Sequence, residues 1–164
     1  MSTSTSTPAG FGLPVLPART TLKPLGIGDV HITDGYWAQK QRVNGNASIQ
    51  HAEEWIEKVG WVRNFDAALE GRLPQERTGR EFSDSDVYKL IEAMAWEIGR
   101  TGDTAMDQRL QALVHRIAPV QEPDGYLNTR FGRPGQEDRY TDLEWGHELY
   151  CFGHLIQAGV ARGR

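Results

Sequence analysis

Apolar residues recur every three or four positions in three segments of this chain, and this spacing constrains its fold more than any other feature. It predicts amphipathic helices over residues 49–59, 83–99 and 106–117. The apolar face of the middle segment is the clearest, and it consists of Val87, Leu90, Ile91, Met94, Ala95 and Ile98. Because the connector at 101–103 is short, we expect the second and third helices to pack as an antiparallel hairpin. The chain is therefore predicted to be mostly α.

The N-terminal region has a different character. Residues 1–21 are small, polar and interrupted by proline, so we interpret them as a disordered lead-in. Val30 and Ile32 then alternate with polar residues before Asp34-Gly35, a pattern that predicts a short strand followed by a turn. Tyr36 and Trp37 follow as expected packing anchors.

Polar residues precede each predicted helix at positions where a cap would lie. Asn46 or Ser48 is a candidate cap for the first helix, and Ser83 or Asp84 for the second. Residues 71–82 lack periodicity and are predicted to form a loop.

Composition excludes several classes of partner. The 164 residues suit one domain, and we expect it to cover 22–164. The net charge of -4, without a basic run, argues against a nucleic-acid partner and is compatible with carbohydrate. No apolar run approaches the roughly 20 residues that span a bilayer. With one cysteine and no secretory signal pattern, a cytoplasmic location is expected.

The last predicted helix begins near residues 143–147, continues to the end of the chain, and carries a polar stripe among apolar residues. The stripe consists of Glu144, His147, Glu148, Cys151 and His154. The stripe could be a ligand-facing surface or a buried network whose hydrogen bonds are satisfied. Zinc binding is a third interpretation, but His147 and His154 lie about 10 Å apart along a helix and would not easily share one ion.

Two further features permit either a functional or a purely structural interpretation. Residues 124–129 (DGYLNT) follow a helix end, where Asp124 and Gly125 suit a structural turn and the neighbouring polar groups suit a site. Four tryptophans could stack on sugar rings or simply pack in the core: Trp55, Trp61, Trp96 and Trp145. No phosphate-binding loop, dinucleotide fingerprint or nucleophile elbow is present.

Taken together, several of these segments resemble one family. The segments are DSDVYK at 84–89, QEPDGYLNT at 121–129, HELY at 147–150 and GHLIQA at 153–158, in that order. They resemble the N-terminal part of glycoside hydrolase family 127, the β-L-arabinofuranosidases and their relatives. The opening DGYW at 34–37 is also similar, so the resemblance covers most of the chain after residue 21.

The resemblance implies an (α/α)6 toroid of helix hairpins around a sugar-binding pocket, here incomplete. It also implies a retaining mechanism with a zinc-held cysteine thiolate as nucleophile and a glutamate as acid/base. His147 matches the family's histidine that contacts substrate hydroxyls. Cys151 lies inside the early motif helix and does not match the nucleophile.

In the family the nucleophile, acid/base and zinc ligands lie downstream of these motifs. We therefore expect a fragment that is inactive alone, binds no zinc itself, and associates through exposed apolar helix faces. Two alternatives stay open. One is another (α/α)6 sugar enzyme, of the unsaturated glucuronyl hydrolase or epimerase type. The other is a non-catalytic helical interaction module.

Overall fold

The computed structural model describes residues 19, 21–22 and 24–163. Seven α-helices follow a 3₁₀ turn at Ile27–Asp29 within these residues: α1 Gly35–Val43, α2 Ile49–Lys58, α3 Arg63–Leu69, α4 Leu73–Glu76, α5 Ser83–Thr101, α6 Thr104–Ile117 and α7 Glu148–Gly163. A π-helical turn, Asn44–Ser48, joins α1 to α2, and a 3₁₀ turn, Ala118–Val120, ends α6. The prediction of a mostly helical chain is confirmed, and no strand forms in the described part.

Helix α5 is the centre of the packing and contacts α2, α6 and α7. Its residues Val87, Tyr88 and Met94 are fully buried, as is Leu110 of α6. Gly102 has a φ of +70°, a left-handed end that glycine adopts without strain, and the chain turns there into α6. The three predicted helices and the predicted packing of α5 against α6 are therefore confirmed.

The prediction of an N-terminal strand is wrong. Val30 and Ile32 are exposed and pair with no strand in the described residues. Asp34 does not close a turn but caps α1, since its Oδ1 accepts a hydrogen bond from the Gly35 N–H at 2.6 Å. Tyr36 and Trp37 are 61% and 67% exposed, so they are not packing anchors among these residues. All but two residues of the predicted lead-in lie outside the described part.

The predicted caps of the first and second predicted helices, which are α2 and α5, are also wrong. Neither Asn46 nor Ser48 caps α2, because the backbone remains helical from α1 through the π turn. Helix α5 begins at Ser83 without a side-chain cap, and Asp84 bonds elsewhere. The predicted loop 71–82 contains the short helix α4, which forms because burial of Leu73 stabilises one turn.

Helix α7 starts at Glu148, at or just after the expected position, and has two unlike sides. Cys151, Ala158 and Ala161 are buried, and the small alanines allow α7 to approach α5 closely. Leu149 and Ile156 are 64% and 65% exposed on another side. No helix in the described part is long and apolar enough to cross a bilayer.

Candidate functional site

The long loop between α6 and α7 is attached to the beginning of α5 by a buried carboxylate. Asp84 is fully buried, and its two oxygens accept hydrogen bonds from the Thr129 N–H at 2.6 Å and the Thr129 hydroxyl at 2.5 Å. Burial raises the pKa of Asp84, although the Arg77 guanidinium, 4.0 Å away, opposes that rise. Asp84 is therefore a long-range anchor rather than the helix cap predicted from sequence.

Arg77 organises the segment that leads into α5. Its guanidinium donates to the carbonyl of Arg80 at 2.9 Å, to the Ser83 hydroxyl at 3.2 Å and to the Thr129 hydroxyl at 3.2 Å. One side chain thus joins the turn before α5 to the loop that Asp84 holds. Sequence reasoning missed Arg77, because nothing in the aperiodic segment 71–82 distinguishes it from the other arginines there.

A second buried carboxylate attaches the same loop to the beginning of α7. Glu148 is 2% exposed. One oxygen accepts a hydrogen bond from the Tyr126 hydroxyl at 2.5 Å, and the other accepts from the Tyr140 N–H at 2.7 Å. Burial and then the hydrogen bond to Glu148 raise the pKa of the Tyr126 phenol well above its usual range, so it remains a donor.

The structure supports the structural interpretation of the segment 124–129. Gly125 has a φ of +89°, and Asp124 accepts a hydrogen bond from the Tyr126 N–H at 3.1 Å, so the segment is a structural turn. The turn also carries Tyr126 to Glu148 and Thr129 to Asp84. Its polar groups are therefore used to join two helices.

His147 is the residue immediately before α7, and its backbone has a φ of +58°. Non-glycine residues in this left-handed region are uncommon, the conformation costs about 1–3 kcal/mol, and such residues cluster at functional sites. The imidazole contacts the ring of Phe82, with 5.3 Å between ring centroids, and Nδ1 lies 3.6 Å from Glu81 Oε1. Nδ1 also contacts the carbonyl oxygen of Trp145. The ring is partly exposed and lies beside Glu81 and Phe82, the two residues that precede α5.

A row of polar and aromatic side chains continues from His147 along the two helices. Tyr150 lies 5.8 Å from the His147 ring and 4.6 Å from the His154 ring, measured between centroids. The Lys89 ammonium lies 5.0 Å from the centre of the Tyr150 ring and 3.1 Å from Asp86. Burial alone would lower the pKa of Lys89, but hydrogen bonds with Tyr150 and Asp86 raise it, so the cation is retained. His147, Tyr150, His154 and Lys89 are hereafter called the rim. The rim carries both hydrogen-bond donors and aromatic faces, which are groups that a ligand site uses.

The predicted polar stripe is only partly brought together. Glu144 precedes the helix and is exposed, while Glu148 and Cys151 point into the protein. The Cys151 thiol lies 3.9 Å from the Phe82 carbonyl oxygen, and burial raises its pKa to about 12. His147 and His154 remain on the rim with Tyr150. The five residues of the stripe do not share one face, because His147 is not helical and helical spacing therefore does not apply before Glu148.

The described residues do not fit the zinc–thiolate centre that the family resemblance implies. No three histidine, cysteine or acidic side chains lie together as a metal site within 24–163 or the few residues described before them. The Cys151 thiol is buried, and its sulfur lies near the Phe82 carbonyl oxygen. We therefore assign no metal-dependent step to these residues.

The tryptophans differ in their surroundings. Trp145 is 67% exposed beside His147, and Trp55 is partly exposed on α2. Trp61 and Trp96 pack against the core, and Trp96 donates a hydrogen bond to Glu92 at 3.3 Å. Trp145 lies two residues before His147 in the chain, while Trp55 and Trp61 line a groove together with Asp86 and Lys89.

These hydrogen bonds join the first three of the four sequence motifs, and comparison with known proteins shows the family of the chain. A family described as "Beta-L-arabinofuranosidase, GH127 catalytic domain" matches residues 29–163. The chain belongs to glycoside hydrolase family 127. A solved family 127 β-arabinofuranosidase matches the fold with a TM-score of 0.75 and 28% sequence identity, over 83% of this chain and 23% of that one.

Curated relatives add a substrate name and a more distant similarity. A non-reducing end β-L-arabinofuranosidase of Bifidobacterium longum subsp. longum is 36% identical over 104 residues, which are 61% of this chain and 16% of that protein. A thymidylate kinase of Acaryochloris marina is 25% identical over 59% of this chain and 43% of its own length. The phosphate-binding loop motif is absent from this sequence. The chain thus spans about a sixth of the arabinofuranosidase.

We predict that Cys151 does not react in the folded protein. A pKa of about 12 instead of 9.0 leaves about a thousandfold less thiolate at about pH 8, since each pKa unit is a factor of ten. Iodoacetamide labelling followed by mass spectrometry should be slower by at least that factor than in the chain unfolded with guanidinium chloride. Rapid labelling of the folded chain would contradict this placement of the thiol.

Proposed function

We propose that residues 22–164 form the N-terminal part of a family 127 catalytic domain and contribute one wall of its sugar-binding site. The observation that carries the proposal is His147, a partly exposed imidazole that lies in a strained backbone conformation at the beginnings of α5 and α7. An imidazole can donate and accept hydrogen bonds with neighbouring sugar hydroxyls. Tyr150, His154 and Lys89 extend this surface, and Trp145 stands beside it.

The proposed substrates are β-L-arabinofuranosides or related plant-type glycans, hydrolysed with retention of configuration. The printed name of the Bifidobacterium relative and the family match support this substrate class. Family membership also favours this assignment over a glucuronyl hydrolase or an epimerase. We infer that the zinc-held thiolate and the acid/base glutamate belong to parts of the domain outside the described residues, and that this wall binds and orients the sugar.

We further propose that the helices are one sector of an (α/α)6 toroid. Helices α5 and α7 begin at the same end, because one loop bonds to the first turn of each. The rim lies at that end, where a ring of such helices would enclose a pocket. The cytoplasmic location stays a prediction from the sequence.

The 164-residue chain by itself is expected to hydrolyse no aryl β-L-arabinofuranoside, with or without added zinc. A retaining glycosidase needs a nucleophile and an acid on either side of the bond, and the buried Cys151 thiol cannot serve as the first. Release of p-nitrophenol is the measurement, with a full-length family member as the positive control. Zinc-dependent release that disappears in Cys151→Ser would overturn the assignment.

In a full-length family member, changing the residue aligned with His147 to alanine should lower kcat/KM about 10- to 100-fold. The reason is the loss of one or two hydrogen bonds to the sugar, each of about 1–2 kcal/mol, where 1.4 kcal/mol is a factor of ten. The matched control is alanine at the position of Gln157, which is exposed about 15 Å further along α7. An equal effect of both changes, or none, would remove His147 from the site.

The isolated chain is also expected to self-associate through α7. Leu149, Ile156 and Val160 form an exposed apolar face that we propose is covered by further helices in a complete domain. Changing Leu149 and Ile156 together to lysine should shift size-exclusion elution toward the monomer. Leu25→Lys, at a similarly exposed leucine outside α7, should not. Monomeric elution of the unaltered chain at high concentration would argue against the proposal.

A further inference from the structure

Two strained residues lie next to Glu148. Among the described residues, Tyr140 and His147 are the non-glycine residues with positive φ, at +60° and +58°. The Tyr140 N–H donates to Glu148 Oε2 at 2.7 Å, and His147 is bonded through its peptide to Glu148. Such conformations persist only where the surroundings over-determine them, and Glu148 is a neighbour of both residues.

Glu148 is itself held firmly from the loop. Its Oε1 accepts from the Tyr126 hydroxyl at 2.5 Å, and the Tyr126 ring lies 3.8 Å beneath the Arg139 guanidinium carbon. Arg139 in turn bonds Asp124 and Glu122, each at 2.6 Å. The charge of Arg139 is therefore satisfied, and the group behaves as a support for the Tyr126 ring.

His147 and Glu148 are consecutive but have different contacts. The Glu148 side chain bonds the loop through Tyr126 and Tyr140, whereas the His147 ring contacts Phe82, lies near Tyr150 and meets the loop at the Trp145 carbonyl oxygen. The helix itself begins at this step, because the Cys151 N–H donates to the His147 carbonyl oxygen at 2.9 Å. Fixing the Glu148 side chain on the loop therefore fixes the direction in which the imidazole leaves the backbone.

We propose that Glu148 is a positioning residue for His147, and that the hydrogen bond from Tyr126 to Glu148 is what transmits the position of the loop to the imidazole. Only the consequence of this positioning, which is presentation of the imidazole to a sugar, rests on the proposed function. The positioning itself is a property of these residues and can be measured without a ligand.

The test compares two tyrosine-to-phenylalanine changes in this chain. Tyr126→Phe removes the hydroxyl that bonds Glu148. Tyr88→Phe is the matched control, because its hydroxyl is buried, bonds the Leu127 carbonyl oxygen at 3.3 Å in the same loop, and does not contact Glu148. Both changes remove one hydroxyl and one loop contact, so both are expected to lower the melting temperature.

The readout is the imidazole proton spectrum, which is simple because the chain has five histidines, and His147→Gln assigns the signal. The rings of Phe82 and Tyr150, at 5.3 and 5.8 Å, displace the His147 signals from their unfolded positions. Tyr126→Phe should move these signals toward the unfolded values, and Tyr88→Phe should leave them in place. Equal movement in both variants, or none in either, would overturn the proposal.

A second pair of variants covers the case in which Tyr126→Phe does not fold. Glu148→Gln keeps the side-chain length and an oxygen that can accept from the Tyr140 N–H, so it should retain most of the His147 displacement. Glu148→Ala keeps neither the side-chain length nor the acceptor oxygen, so it should lose the displacement of the His147 signals. If the His147 signals stay displaced in Glu148→Ala, the proposal is contradicted. If the signals respond as expected while the alanine variant at His147 in a full-length relative keeps its kcat/KM, the positioning stands and the proposed function fails.

Discussion

The arrangement of this chain depends on the pair of hydrogen bonds that Thr129 donates to the buried carboxylate of Asp84. A carboxylate inside a protein is costly unless its oxygens are satisfied, and removal of one partner typically costs more than the bond itself contributes. The raised pKa of Asp84 indicates that burial still exceeds the compensation. Asp84 therefore favours the one loop position in which both of its oxygens have donors.

The bond between Tyr126 and Glu148 follows from that first anchor. Tyr126 stands three residues before Thr129, so fixing Thr129 at α5 restricts where the Tyr126 hydroxyl can lie. Glu148 then meets it from the first turn of α7. Two carboxylates at the beginnings of two packed helices thus hold one loop, and the rim is the surface that they leave between the helices. The loop has little regular secondary structure because these side-chain bonds replace a backbone ladder.

The sequence predicts those elements whose signal is local and repeated. The helices α2, α5 and α6 follow from apolar spacing, since several residues agree on one face. The predicted strand at Val30 and Ile32 is wrong because alternation over the five residues 29–33 carries no information about a pairing partner. Asp84 was misread as a cap because its donor is 45 residues away. No local sequence pattern indicates the positive φ of His147. The predicted polar stripe of the last helix treats His147 as helical, and it therefore combines exposed and buried side chains.

The motifs that resemble the family supply the donors and acceptors of the same hydrogen bonds in this structure. Asp84 in the first motif bonds Thr129 in the second, and Tyr126 in the second bonds Glu148 in the third. A resemblance in these motifs therefore indicates a shared fold, because buried groups that satisfy each other's hydrogen bonds allow few other arrangements of the chain. The resemblance indicates a shared function only at motif residues outside that hydrogen-bond network. His147 is such a residue, because its ring shares no bond with either carboxylate anchor, although its backbone is held by one of them.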